Sequence, residues 1–254
     1  MLGQSLEVQR IAGNAAQGTI VFLHEGLGSV AMWRSFPAQV CAAKGCAGLV
    51  YSRQGYGQSA PAARPLPPTY MHHEAWEVLP ALLSQLGIDH PIMLGHSDGG
   101  TIALLYASRF ATRSCIVMAP HLFVEDISLR SIAAARVAFE SGDLRGKLAK
   151  FHSDVDGAFW QWNDVWLSNG FRSFNIEVEC TQIACPLLAI QGVDDPYGTM
   201  AQIDALKGTF INEDGIQSKY LLFRQLLKLE QCGHSPQRDQ TYAVISKIAS
   251  FLSS

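Results

Sequence analysis

At 254 residues, with 48% hydrophobic and 16% charged side chains, the chain is long enough for one large α/β domain and too apolar for disorder. A formal net charge of −3, without any run of like charges, excludes the basic footprint of a nucleic-acid binder, so the expected partner is a small molecule. No positively charged start leads into an apolar run, and no apolar run approaches a membrane span, which points to a cytoplasmic protein with no membrane partner.

Short apolar runs alternate with helical patterns along the chain, the pattern of a parallel sheet wrapped by helices. Leu6 to Ile11 reads as an antiparallel edge strand, although the stretch ahead of Thr19 is short for two full strands. Thr19 to His24, Ala47 to Ser52, Ile92 to His96 and Cys115 to Ala119 follow as buried parallel strands, each bounded by Gly, Pro or polar residues. Between them, Tyr70 to Leu86 and Gly100 to Phe110 read as helices, the first kinked by Pro80. Residues 121–184 break the alternation. They are helical in pattern and rich in aromatics (Phe151, Phe159, Trp160, Trp162, Trp166, Phe171, Phe174), which suits a lid inserted into a core made of residues 1–120 and 185–254. Leu187 to Gln191 and Leu226 to Glu230 complete the strands, with helices at Thr199 to Lys207 and Asp239 to Leu252. The last carries Ile245, Ile248, Phe251 and Leu252 on one face for docking on the sheet. Asn212 to Gly215 reads as a loop. The expected fold is a three-layer α/β architecture: a mostly parallel central sheet, helices on both faces, and a helical lid.

Six cysteines are scattered without metal-ligand spacing. Cys180 and Cys185 are close enough in sequence to pair in an oxidising compartment, but reduced thiols of a cytosolic enzyme are the simpler expectation. No dinucleotide fingerprint appears, and His73 with Glu77 reads as a surface pair on a helix, so neither metal nor organic cofactor is expected.

The strongest chemical signal is Gly95-His96-Ser97-Asp98-Gly99-Gly100, between an apolar strand and a helix rich in Ala and Leu. A sharp strand-to-helix turn lifts Ser97 above the sheet, and the small residues at 95 and 99 let strand and helix pass closely. Alone, a glycine-rich turn also suits a phosphate; the partners in the chain decide against that. A serine hydroxyl needs a base, and His234 in Cys232-Gly233-His234-Ser235-Pro236 follows the last strand, where a loop leaving its carboxyl end faces the same rim. An orienting acid should follow a late strand, and Gln191-Gly192-Val193-Asp194-Asp195 offers two adjacent carboxylates. Asp195 is favoured and Asp194 read as a loop or capping residue; Glu125 or Asp126, after the Cys115 to Ala119 strand, is the second choice.

These motifs, together with Ser52-Arg53-Gln54-Gly55-Tyr56-Gly57-Gln58-Ser59, resemble the lid-bearing α/β-hydrolases that include carboxylesterases, enol-lactonases and carbon–carbon bond hydrolases. The resemblance covers nearly the whole chain. It implies that His24-Glu25-Gly26-Leu27-Gly28 supplies a backbone N–H, from Gly26 or else Leu27, to join that of Asp98 in an oxyanion hole. Glu25 departs from the pattern, which has Gly there; it is expected to bond a neighbouring loop, with Arg53 a candidate partner. Small carboxylic esters or lactones are the expected substrates. Cleavage of a dienoate ring-fission product comes second, with Arg53 or a lid residue holding the carboxylate, and noncatalytic ligand binding on the same fold third. Glu25, Arg53, His121, Trp160, Trp162 and Trp166 are the candidate substrate contacts.

Overall fold

The computed structural model describes residues 5–207 and 224–253. The loop expected at Asn212 to Gly215 lies outside the described residues. Seven strands form one sheet among them: β1 (Val8–Ile11), β2 (Asn14–Leu23), β3 (Cys46–Tyr51), β4 (Ile92–His96), β5 (Ser114–Met118), β6 (Leu187–Gly192) and β7 (Arg224–Leu229). Their order across the sheet is β1-β3-β2-β4-β5-β6-β7, and every pairing is parallel except β1 with β3. Both strands ahead of the core are accommodated after all. The turn between them is tight because Gly13 lies against the Cys46 carbonyl, where a side chain has no room. The solvent-exposed first half of β2 then shifts register against β3 between Asn14 and Thr19.

Alternation along the strands builds two cores. Val21, Leu23, Leu49, Met93, Val117 and Ala189 face one side of the sheet; Ile20, Phe22, Val50, Leu94, Ile116 and Ile190 face the other. The second face is covered by α1 (Phe36–Lys44) through Phe36 and Val40, and by α11 (Thr241–Phe251) through Val244, Ile248 and Phe251. The expected docking of Ile248 and Phe251 is therefore met, while Ile245 and Leu252 sit at its margin. The first face carries α2 (Tyr70–His73), α3 (Leu79–Leu86) and α4 (Asp98–Arg109). α2 runs into α3 through a π-turn at Glu74–Val78, so Pro80 is absorbed by an under-wound turn before it rather than by a break.

Between β5 and β6 the chain leaves the sheet as α5 (Asp126–Ser141), α6 (Leu144–Leu148), α7 (Val155–Leu167) and α8 (Glu177–Cys180). The two ends of this excursion are stitched together by a bridge between Phe123 and Asn175 and by the Ile176 N–H bonded to the Leu122 carbonyl at 2.7 Å. After β6 comes the short α9 (Ala201–Asp204), and α10 (Pro236–Asp239) precedes α11. The loops that leave the carboxyl ends of β2, β4, β6 and β7 meet at one rim of the sheet, the place where open parallel sheets bind ligands. Among the described residues, no helix is long and apolar enough to cross a membrane.

Candidate active site

Ser97 stands between β4 and α4 with φ 52° and ψ −121°, a conformation that a residue bearing a Cβ rarely adopts. The turn holds because the residues two positions away on either side, Gly95 and Gly99, have no side chains. A Cβ at Gly95 would strike the Gly99 carbonyl, and one at Gly99 would strike the carbonyl of Leu23. The Ser97 N–H bonds the Met118 carbonyl at 2.9 Å, which ties the elbow to β5.

His234 reaches the same point from the loop after β7. Its Nε2 lies 2.9 Å from Ser97 Oγ, and its Nδ1 lies 2.9 Å from each oxygen of Asp195. A carboxylate only accepts, so Nδ1 carries the proton and Nε2 is left to accept from the serine hydroxyl. Asp195 is placed by the tight turn after β6, where Gly192 abuts the Cys232 carbonyl and the Asp194 N–H bonds that same carbonyl at 3.0 Å. Burial alone would raise the Asp195 carboxyl, but hydrogen bonds from His234 and from the Tyr197 N–H (2.8 Å) hold it below the usual carboxylate value. Asp194 is exposed and turned away. Glu125 bonds Thr199 and Gln202 instead, and Asp126 is exposed at the start of α5.

The His24–Gly28 loop lies opposite. Its Glu25 carbonyl accepts from the Gly28 N–H at 3.0 Å, from His24 Nδ1–H at 2.7 Å and from Arg53 Nη2 at 3.1 Å. The peptide linking Glu25 to Gly26 is trans, so a carbonyl drawn toward Arg53 turns the Gly26 N–H the other way. Among the described residues neither the Gly26 nor the Leu27 N–H has an acceptor, and both residues line the cavity above Ser97 together with Asp98.

Two expectations about this loop are corrected. Arg53 does not pair with the Glu25 carboxylate, nor does it line that cavity. It is buried, and its guanidinium is engaged by the His24 carbonyl at 2.7 Å, the Glu25 carbonyl and the face of Tyr56, with Asp98 at 3.9 Å. The Glu25 carboxylate instead faces His96 Nδ1 at 3.3 Å and Arg238 at 3.8 Å. Burial would raise its pKa, yet these two partners hold it well below the ordinary value. His96 Nε2–H donates to the His234 carbonyl at 2.6 Å, so one ring braces the His234 loop and faces the Glu25 carboxylate.

The cavity has a volume of about 210 Å³. Its walls include His121, Trp162 and Trp166, as expected, but not Trp160. On α7, positions 162 and 166 lie one turn apart on the same face, whereas 160 lies two residues before 162 and points away. Trp160 packs instead against Phe139, Phe159 and the Arg136 guanidinium. Burial, with the nearby His234, pushes the His121 imidazole down to about 3, so it stays neutral beside His234. Ile132, Tyr197 and Ser235 also line the cavity. The sequence signal for Tyr197 is its place two residues after Asp195, and its ring lies 4.6 Å from that of His234; nothing local marks Ile132. A neighbouring groove of about 490 Å³ shares Glu25 but contains neither Ser97 nor His234; both line the smaller cavity.

His73 and Glu77 form the expected surface pair at 3.3 Å, all six cysteines are free thiols, and no group of metal-ligating side chains occurs among the described residues.

A family model described as the alpha/beta hydrolase fold matches residues 18–167. The chain belongs to this family. Solved members share its fold at low identity. An alpha/beta hydrolase enzyme from a Medee basin deep-sea metagenome library is 16% identical, with a TM-score of 0.73 over 100% of this chain and 96% of its own. A structure reported with carboxylesterases of Nitrososphaera gargenis is 16% identical, with a TM-score of 0.74 over 98% and 96%. The enol-lactonase from Burkholderia xenovorans LB400 is 18% identical, with a TM-score of 0.70 over 100% and 98%. Comparison with curated proteins gives no match. At these identities the likeness is one of fold.

Proposed function

We propose that this member of the family is a serine hydrolase of small, mainly apolar carboxylic esters or lactones, acting through an acyl-enzyme on Ser97. The observation that carries the reading is the unbroken relay Ser97–His234–Asp195, with both links at 2.9 Å. In the first step Ser97 Oγ bonds to the acyl carbon as His234 Nε2 takes the hydroxyl proton. The carbonyl oxygen becomes an oxyanion facing the Asp98 and Gly26 amides, with Leu27 as the alternative donor. Collapse breaks the bond to the leaving oxygen, which departs with the proton from His234; in a lactone it stays tethered to the acyl group. Water then adds to the acyl-serine while giving His234 a proton. That proton returns to Ser97 as the carboxylic acid leaves. The chemistry needs no metal or organic cofactor.

Cavity size and lining support the substrate class. About 210 Å³ walled by Trp162, Trp166 and Ile132 suits a short apolar acyl group. Dienoate cleavage would require a cation for the substrate carboxylate. Arg53 is held by two backbone carbonyls and does not line the cavity, and the wall carries Glu25, so esters and lactones are favoured. Residues 121–184 are read as a lid that excludes water from the acyl-enzyme, and the free thiols fit a reducing, cytoplasmic setting. Hydrolysis of a panel of p-nitrophenyl esters and small lactones, abolished in Ser97→Ala, is the expected result. Activity surviving in that variant would remove the serine mechanism, and a wild-type protein that binds but never turns over would favour a receptor.

A further inference from the structure

His152 lies between α6 and α7, far in sequence from every motif named above, and its imidazole touches two loops of the sheet rim. Nε2 is 3.0 Å from the Leu27 carbonyl, and Nδ1 is 3.0 Å from the Gly57 N–H. A carbonyl can only accept and an amide N–H can only donate, so one tautomer satisfies both: neutral imidazole with its proton on Nε2. The residue is 5% exposed, and burial lowers its pKa, which keeps that neutral form in place. The next residue completes the grip, because the Ser153 N–H and hydroxyl donate to the Gly57 carbonyl at 2.9 and 3.0 Å.

We propose that His152 is a positioning residue for the oxyanion loop, acting through its hydrogen bond to the Leu27 carbonyl; the proposal rests on the oxyanion role assigned above to this loop. The peptide joining Leu27 to Gly28 is clamped at both ends. Its carbonyl accepts from His152, and its N–H donates to the Glu25 carbonyl at 3.0 Å. The Glu25 carbonyl belongs to the peptide whose N–H is that of Gly26. Rotation of the 27–28 peptide would release the Glu25 carbonyl from one of its donors and let the Gly26 N–H swing from the cavity. Arg53 and His24 hold that carbonyl from beneath, while His152 holds the turn from the side of the 121–184 excursion. The oxyanion donor is thereby oriented partly by a residue outside the sheet core, and only when that excursion is seated on the rim.

Two substitutions separate the two bonds. In His152→Gln the side-chain amide nitrogen sits as many bonds from Cα as Nε2 does and can still donate to Leu27. In His152→Asn the amide oxygen stands where Nδ1 was, keeping the Gly57 bond and losing the Leu27 one. With p-nitrophenyl acetate as substrate, His152→Asn is expected to lower kcat about tenfold or more with KM within about twofold, and His152→Gln to rescue kcat to within about threefold of wild type. Inhibition by phenylboronic acid, whose serine adduct places an oxygen in the oxyanion site, should weaken in step with kcat in the Asn variant. Equal kcat in the two variants, whether high or low, or a Gln variant worse than Asn, would overturn the positioning role while leaving the serine mechanism intact. Hydrolysis retained in Ser97→Ala, measured alongside, would overturn the parent reading and this role with it.

Discussion

Replacing Asp195 by Asn tests the orienting acid with little change of shape. The carboxylate lies 2.9 Å from His234 Nδ1 and is further fixed by the Tyr197 N–H at 2.8 Å. In the proposed mechanism His234 becomes an imidazolium next to that charge as Ser97 attacks. Unit charges about 4 Å apart at an effective dielectric constant of about 20 attract by about 4 kcal/mol, which is roughly a thousandfold in rate. The Asn amide brings a second loss. Its single oxygen is claimed by the Tyr197 N–H, which turns the NH2 toward Nδ1 and moves the imidazole proton to Nε2, where it faces the hydroxyl it should receive from. Asp195→Asn should therefore lower kcat by ~10³ to 10⁴, with KM little changed and the fold intact by circular dichroism. Asp194→Asn should stay within about twofold, since its exposed side chain makes no contact with His234. Initial rates on p-nitrophenyl acetate at pH 8 decide it. A loss of several decades at 194 with little at 195 would refute the assignment.

Three further outcomes follow from the geometry. Ser97 occupies a backbone region that suits glycine, so Ser97→Gly should be more stable than Ser97→Ala by roughly 1 kcal/mol in urea unfolding, both being inactive; equal stabilities would mean the elbow is not strained. Trp162 walls the cavity against Gly26, and Trp162→Ala should open room for about two more methylenes, raising kcat/KM for p-nitrophenyl hexanoate relative to acetate roughly tenfold. An unchanged chain-length profile would show that the acyl group lies elsewhere. His121, held down to about 3 in the folded protein, takes up its proton first in the unfolded chain, so its contribution is complete above about pH 6.5 and declines as pH falls toward 3. Between pH 7 and 5 that is a loss of roughly 2 kcal/mol, which His121→Phe should remove from the pH dependence of unfolding free energy; the same loss in both proteins would contradict it.

The layered fold and the relay were legible in the sequence for a shared reason: both are written in short, local patterns. β4, β5 and β6 are uninterrupted apolar runs because they are buried on both faces, and Gly95, Gly99 and Gly192 mark places where backbone meets backbone. What stayed hidden depends on contacts between distant segments. The sequence offers Arg53 as a partner for the Glu25 carboxylate or for a substrate carboxylate, because nothing nearby shows that its guanidinium is held by the His24 and Glu25 carbonyls. Trp160 was grouped with Trp162 and Trp166 by composition, although helical phase alone places it on the opposite side of α7. His152 and His96 stand 125 and 138 positions from the carbonyls they hold, so no window of the chain reveals their roles. The early start of β2 was missed because its first half is polar and exposed, without a hydrophobic alternation to announce it.

Treatment with a fluorophosphonate, followed by mass spectrometry of the digested protein, tests the nucleophile most directly. One phosphonyl adduct is expected, on the peptide bearing Ser97, with concurrent loss of ester hydrolysis and no labelling in Ser97→Ala. An adduct on another residue that accompanies inactivation, or full activity with Ser97 modified, would contradict it.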